Sequence, residues 1–170
     1  MLFRSNESVS DVFGILVKQK HEREDATTSD WLIGEGLFTD RVKGVALRSM
    51  KAPGTAYDDP VLGRDPQPAH MDDFVRLPHD AEHDNGGVHT NSGIPNRAFY
   101  LAATALGGNA WERAGQIWFD TVTAKGVPKD VDFAGFARLT INAAAKRYGK
   151  GSPEAGAVTH GWAGVGVTPS

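Results

Sequence analysis

Apolar side chains recur at helical spacing near both ends of this chain, and the period disappears between them. Val9, Val12, Phe13, Leu16 and Val17 fall at i, i+3, i+4, i+7 and i+8 behind Ser5, a helix-capping residue type, which predicts an amphipathic helix over residues 6–20. After Asn91 the period returns and predicts helices over 92–106, 110–124 and 131–148. The second of these aligns Trp111, Ala114, Ile117, Trp118 and Val122 on one stripe. The third starts behind Asp130, presents Val131 or Phe133, then Phe136, Ala137, Ile141, Ala144 and Tyr148, and stops at Gly149. A short last helix is expected after Ser152-Pro153-Glu154, where proline suits the first turn and glutamate complements the positive helix end. The expected architecture is a mainly α domain with a long irregular segment after the first helix.

That segment, His21 to Val88, is charged and punctuated by Pro53-Gly54, Asp59-Pro60, Asp65-Pro66 and Pro68. Loops of such length inside a compact domain tend to be functional or disordered. Disorder is not expected of the whole, because 170 residues with 40% hydrophobic and 23% charged side chains match a folded chain, read here as a single domain over 1–170. Eighteen Lys and Arg against 21 Asp and Glu give a net charge of −3 with no basic stripe, which argues against nucleic acid as a partner. The most apolar run, Ala98 to Leu106, is about half the roughly 18 residues of a membrane span, so no membrane partner is expected either. No cysteine is present, which excludes disulfides, thiolate zinc sites and a cysteine nucleophile and leaves the compartment open. No signal peptide is read in this chain.

Several residues carry potential chemistry. Glu7 and Asp11, four apart, lie roughly 40° from each other on a helix, nearly opposite the apolar stripe. They are a solvated acidic face near a helix N-terminus, or a metal ligand beside a carboxylate that orients another ligand. Gly14 on the same face would admit a neighbouring element. His79, His83 and His89 form the densest histidine group and would suit zinc, yet no helical stripe fixes their geometry, so His79 and His83 also read as exposed loop histidines. His89 follows the turn Asp84-Asn85-Gly86-Gly87 and precedes a helix start, a placement that presents an imidazole to a cleft while Asp84 accepts from its ring N–H. Arg48 is a surface arginine or a planar fork for a carbonyl or carboxylate. His21-Glu22 begins like HExxH, but Asp25 stands at the second histidine's place and no complete HExxH occurs. Trp111, Arg113, Trp118 and Tyr148 sit at helical spacing and read as core and rim.

Taken together, three blocks resemble the C-terminal half of the thermolysin-like neutral zinc metallopeptidases: Asn6-Glu7-Ser8-Val9-Ser10-Asp11-Val12-Phe13-Gly14, Leu47-Arg48-Ser49-Met50, and Asp84-Asn85-Gly86-Gly87-Val88-His89-Thr90-Asn91-Ser92-Gly93-Ile94-Pro95-Asn96. The run from Gly44 to Gly54 is most similar to the protealysin-type branch, and the resemblance covers residues 5–165. It implies that Glu7 is the third zinc ligand and that Asp11 holds a zinc-bound histidine in orientation. It further implies that His89 stabilises the oxyanion, that Asp84 orients His89, and that Arg48 binds a backbone carbonyl of the substrate. Leu47, with Ile33 and Leu37, would line a pocket for a bulky apolar side chain just after the scissile bond.

On the same resemblance, the two histidine ligands, the general base and a helping tyrosine belong to a HExxH-bearing N-terminal part that lies upstream of Met1 and is absent here. One ligand out of about three implies that the isolated chain neither holds zinc tightly nor hydrolyses peptides. No calcium is expected, because Lys18, Leu32 and Val45 stand where calcium-rich members carry acids, leaving Asp30 and Glu35. The expected partners are a peptide or protein substrate and the missing N-terminal half; without that half, the exposed interdomain face should promote self-association. The family is often secreted. The alternatives are a non-catalytic peptide- or protein-binding remnant of the fold, and an independent metal protein built on the three histidines.

Overall fold

A computed structural model describes residues 6–128 and 130–169 of the chain. Its long helices are α1 (Asn6–Glu22), α3 (Gly93–Leu106), α4 (Ala114–Thr123), α5 (Phe133–Tyr148) and α6 (Pro153–Ala163), with a four-residue turn, α2 (Asp84–Gly87), just before α3. Ser5, the expected cap of α1, lies outside the described residues.

The helix ends follow local chemistry. The Asp132 carboxylate accepts the Gly135 N–H, so α5 starts at Phe133; Asp130 is not the cap, and the start falls two residues later than the apolar pattern suggests. Ser152 caps α6 through the Ala155 N–H, with Pro153 in the first turn as expected. The stripe predicted from 110 begins as a helix only at Ala114. Arg113 just before it reaches back to the Leu106 and Gly107 carbonyls, satisfying the open end of α3.

The core lies where α3, α4, α5 and α6 meet. Trp118 and Trp162 stack with centroids 6.3 Å apart, Phe99 meets Trp118 edge-on at 4.9 Å, and Phe136 meets Trp162 at 6.0 Å, all fully buried. The α3 and α6 backbones approach closely because Gly161 carries no side chain: a Cβ there would lie 2.5 Å from the Ala98 carbonyl. Helix α1 packs Val12, Ile15 and Leu16 onto this core and leaves the Glu7 and Gly14 face free of it. Trp111 and Tyr148 pack at its rim, as expected for a core stripe rather than a stacking platform.

Between α1 and α3 the chain is irregular, as the loss of period implied, but it contains two short antiparallel ladders that the sequence did not signal. Strands β1 (Leu32–Ile33) and β2 (Arg48–Ser49) pair Leu32 with Ser49 and Ile33 with Arg48; β3 (Asp58–Asp59) and β4 (Gly63–Arg64) form a hairpin. With two residues each, they are too short to show a period of two. Among the described residues no helix is long and apolar enough to cross a membrane.

Candidate active site

Three pieces of chain converge beside the first turn of α1: that turn itself, strand β2, and the turn leading into α3. In the last of these, Asp84, Asn85, Gly86 and Gly87 all adopt positive φ, between 47° and 86°, a left-handed run that suits glycine and asparagine. Gly86 is also pressed against the His79 ring, where a Cβ would lie 2.6 Å from Cε1. This left-handed run folds the Asp84 side chain onto the residues that follow it.

The Asp84 carboxylate accepts the N–H groups of His89 and Thr90, each at 3.0 Å, and the Thr90 hydroxyl at 3.2 Å, and it contacts His89 Nδ1 directly. An ionised carboxylate only accepts, so Nδ1 carries the proton of that bond and Nε2 faces outward. Partial burial works against the Asp84 charge, but hydrogen bonds from Thr90 and His89 outweigh it and hold the pKa below the usual carboxylate value. The His89 ring is 63% exposed, and its Nε2 lies 3.5 Å from Glu7 Oε1.

Arg48 is held from the other side. Its Nε and Nη2 donate to the two oxygens of Asp11 at 2.8 and 2.6 Å, and Asn96 Nδ2 adds a third bond to Asp11 at 2.8 Å. The hydrogen bonds to Asp11 raise the Arg48 pKa further above its ordinary value. Asp11 is almost wholly buried and accepts three of the roughly four hydrogen bonds a carboxylate can take, leaving room for one further donor. The sequence named Asp11 and Arg48 separately; their pairing across 37 positions came from the fold.

These residues border a cleft of about 330 Å³ lined by Leu47, Arg48 and His89 together with Phe38, Tyr57, Leu62, Asp65 and Gln67. The β1–β2 ladder brings Leu47 and Leu37 together over Gly34, with Ile33 paired to Arg48; Ile33 packs partly on the core and Leu37 is 67% exposed. Phe38, Tyr57, Leu62 and Gln67 were not read from the sequence as lining residues. Apart from bulk at Phe38 and Tyr57, nothing marks them. A larger cleft of about 510 Å³ between α4 and α5 holds none of the expected site residues.

His79, His83 and His89 do not assemble: His83 pairs with Asp80 at 2.7 Å and His89 with Asp84. Among the described residues no group of three or more His, Asp or Glu side chains is arranged to hold a metal. Glu7 remains open enough to serve as one ligand of a set completed from elsewhere. At the place considered for calcium, the Lys18 ammonium bridges Asp30 and Glu35 at 2.8 Å each. Burial opposes that charge, but the hydrogen bonds to both carboxylates prevail and raise the Lys18 pKa.

The helical core thus carries, beside the first turn of α1, a turn-held Asp–His pair, a clamped arginine and an open glutamate. The family model described as thermolysin metallopeptidase, alpha-helical domain, matches residues 5–167, and the chain belongs to this family, in its protealysin-type branch. The solved precursor of protealysin, a metalloproteinase from Serratia proteamaculans, superimposes with a TM-score of 0.91 at 59% identity over 97% of this chain and 49% of that one. An extracellular metalloprotease of Pectobacterium carotovorum is 56% identical over 95% of this chain and 45% of that protein. Protease PrtS of Photorhabdus is 54% identical over 80% of this chain and 36% of that protein. The chain thus spans less than half the length of the relatives it matches.

Proposed function

We propose that this chain is the C-terminal half of a zinc metalloendopeptidase that hydrolyses peptide bonds on the N-terminal side of bulky apolar residues. The observation that carries the proposal is the convergence of Glu7, His89 and Arg48 beside the first turn of α1: Asp84 fixes His89, Asp11 clamps Arg48, and Glu7 Oε1 lies 3.5 Å from His89 Nε2. Glu7 serves as one zinc ligand, and the remaining ligands come from a HExxH-bearing N-terminal part. Bound zinc supplies Lewis-acid polarisation of the scissile carbonyl and activation of a water.

The chain's own residues do the rest. Asp84 accepts from His89 Nδ1–H and fixes the ring, and in the imidazolium form Nε2–H is the donor aimed at the place where negative charge develops on the carbonyl oxygen. Arg48, kept flat and charged by Asp11, presents its remaining donors to a backbone carbonyl of the substrate. Leu47, 36% exposed, forms the wall against which the side chain after the scissile bond packs, with Leu37 and Ile33 beside it. The exposed Val17 and Phe119, the latter stacked edge-on against Phe13, are apolar surface for the N-terminal part to cover. The extracellular naming of relatives supports an exported whole protein.

The test is cleavage of a peptide with Leu or Phe after the scissile bond, by this chain alone and by this chain combined with a HExxH-bearing N-terminal part. Cleavage only in the combination, abolished by a chelator, is expected. A well-folded combination that binds the peptide without cutting it would favour the non-catalytic remnant.

A further inference from the structure

The His89 imidazole projects into solvent from a short turn, and Asp84 fixes the ring and the His89 and Thr90 N–H groups but not the His89 carbonyl. The His89 carbonyl is gripped separately. Gln67 Nε2 donates to it at 2.8 Å, Ser92 Oγ donates to it at 2.8 Å, and Gln67 Nε2 also contacts Ser92 Oγ at 2.7 Å, closing a three-membered ring of polar contacts. Gln67 is 6% exposed and Ser92 is fully buried, so water competes little with these donors.

Gln67 is itself fixed at both ends. Its N–H donates to Asp65 Oδ1 at 3.1 Å, and Asp65 Oδ2 also takes the Gly54 and Ala56 N–H groups at 3.1 Å each. Its segment is pressed onto the first turn of α3, where a Cβ on Gly93 would lie 2.6 Å from the Pro68 carbonyl and 3.0 Å from Gln67 Cβ. Gln67 Oε1 is buried and, among the described residues, has no hydrogen-bond partner. The amide is therefore held by its donor end alone, and that end points at His89. A glutamine kept for packing would not leave a buried acceptor unpaired while directing both donor contacts at one carbonyl and the hydroxyl that shares it.

We infer that Gln67 is a positioning residue: with Ser92 it clamps the His89 backbone so that the exposed imidazole keeps its aim across the cleft. The inference rests on the role proposed above for His89. Loss of the clamp leaves the Asp84–His89 pair intact but lets it swing as a unit, so the transition state loses more than the bound substrate does.

The experiment uses the chain preceded by a HExxH-bearing N-terminal part. Gln67→Met, which keeps the volume and removes the donor, should lower kcat about tenfold with KM nearly unchanged, and should lower it less than about twofold in a His89→Ala background. Ser92→Ala should show a smaller effect with the same pattern, and it decides the matter if Gln67→Met does not fold. Equal losses with and without His89, or no loss in a protein where His89→Ala is damaging, would overturn the clamp. If His89→Ala leaves activity intact, the reading of His89 is what fails. The ring ¹⁵N signal of His89 then decides for Gln67: a signal displaced or broadened in Gln67→Met supports the clamp, and an unchanged signal overturns it.

Discussion

The helices and the segment between α1 and α3 both have to pair their backbone polar groups, and they do so by different means. Within α3, α4, α5 and α6 the N–H groups pair with the chain's own carbonyls, and the helices are held together by Trp118, Trp162, Phe99 and Phe136. The irregular segment has little repeating structure, and beside scattered backbone pairs such as Val45 N–H to the Ala56 carbonyl, aspartates take up many of its amides. Asp25 accepts from Thr27 and Thr28, Asp30 from Leu32, Asp59 from Lys43, Val61 and Leu62, Asp65 from Gly54, Ala56 and Gln67, and Asp84 from His89 and Thr90. Apolar burial is non-directional and suits a scaffold, whereas a carboxylate fixes particular atoms in particular places. The site residues outside α1 sit on the carboxylate-organised segment or at its end.

The largest effect should come from the apolar side of this comparison. Trp118→Ala removes the ring that three other aromatic rings meet and should cost about 3–5 kcal/mol, with helical circular dichroism and Trp31 fluorescence lost in one transition. Separate transitions would break the picture of one core supporting both regions.

Asp65→Ala should cost less, roughly 2 kcal/mol, and act locally. Amide hydrogen exchange should speed up at Gly54, Ala56 and Gln67 while the α4 and α5 amides keep their protection. Loss of protection spread evenly over the molecule would show that the segment is not organised by its carboxylates.

The helices were legible because a stripe of apolar residues at a period of 3.6 reports which face is buried, whatever it packs against. The start of α5 is hidden in the sequence because Val131 continues the stripe while Asp132, not Asp130, makes the capping bond. Asp84 and His89 are legible as a pair because they lie only five positions apart across a glycine turn. The Asp59 and Asp65 contacts reach back across 16 and 11 positions to Lys43 and Gly54, and no local pattern encodes them. Gln67 went unread for the same reason: its partners, His89 and Ser92, lie 22 and 25 residues away.

Acid should weaken the carboxylate-organised region. Backbone hydrogen bonds from Lys43, then from Leu62 and Val61, hold the Asp59 pKa below its ordinary 3.8. The folded state therefore binds fewer protons than the unfolded one between the two values, so this stabilisation is complete above 3.8 and is lost as pH falls through the lower, folded value. Asp59→Asn should flatten the fall of Tm on acidification in that range; an unchanged slope would remove Asp59 from the account.

The smallest effect concerns Lys18. Its bridge to Asp30 and Glu35 is partly exposed, so Lys18→Met should cost less than about 1 kcal/mol. Millimolar calcium should leave the Tm of the unsubstituted chain unchanged, because an ammonium already lies between the two carboxylates. A calcium-dependent rise would contradict this.

The most direct test of the central claim is to measure zinc content and peptide cleavage together, in the chain preceded by a HExxH-bearing N-terminal part, with Glu7 intact and as Glu7→Ala. One bound zinc and chelator-sensitive cleavage with Glu7, and loss of both without it, are the expected results. Full zinc occupancy and undiminished cleavage in Glu7→Ala would show that this chain does not complete the metal site.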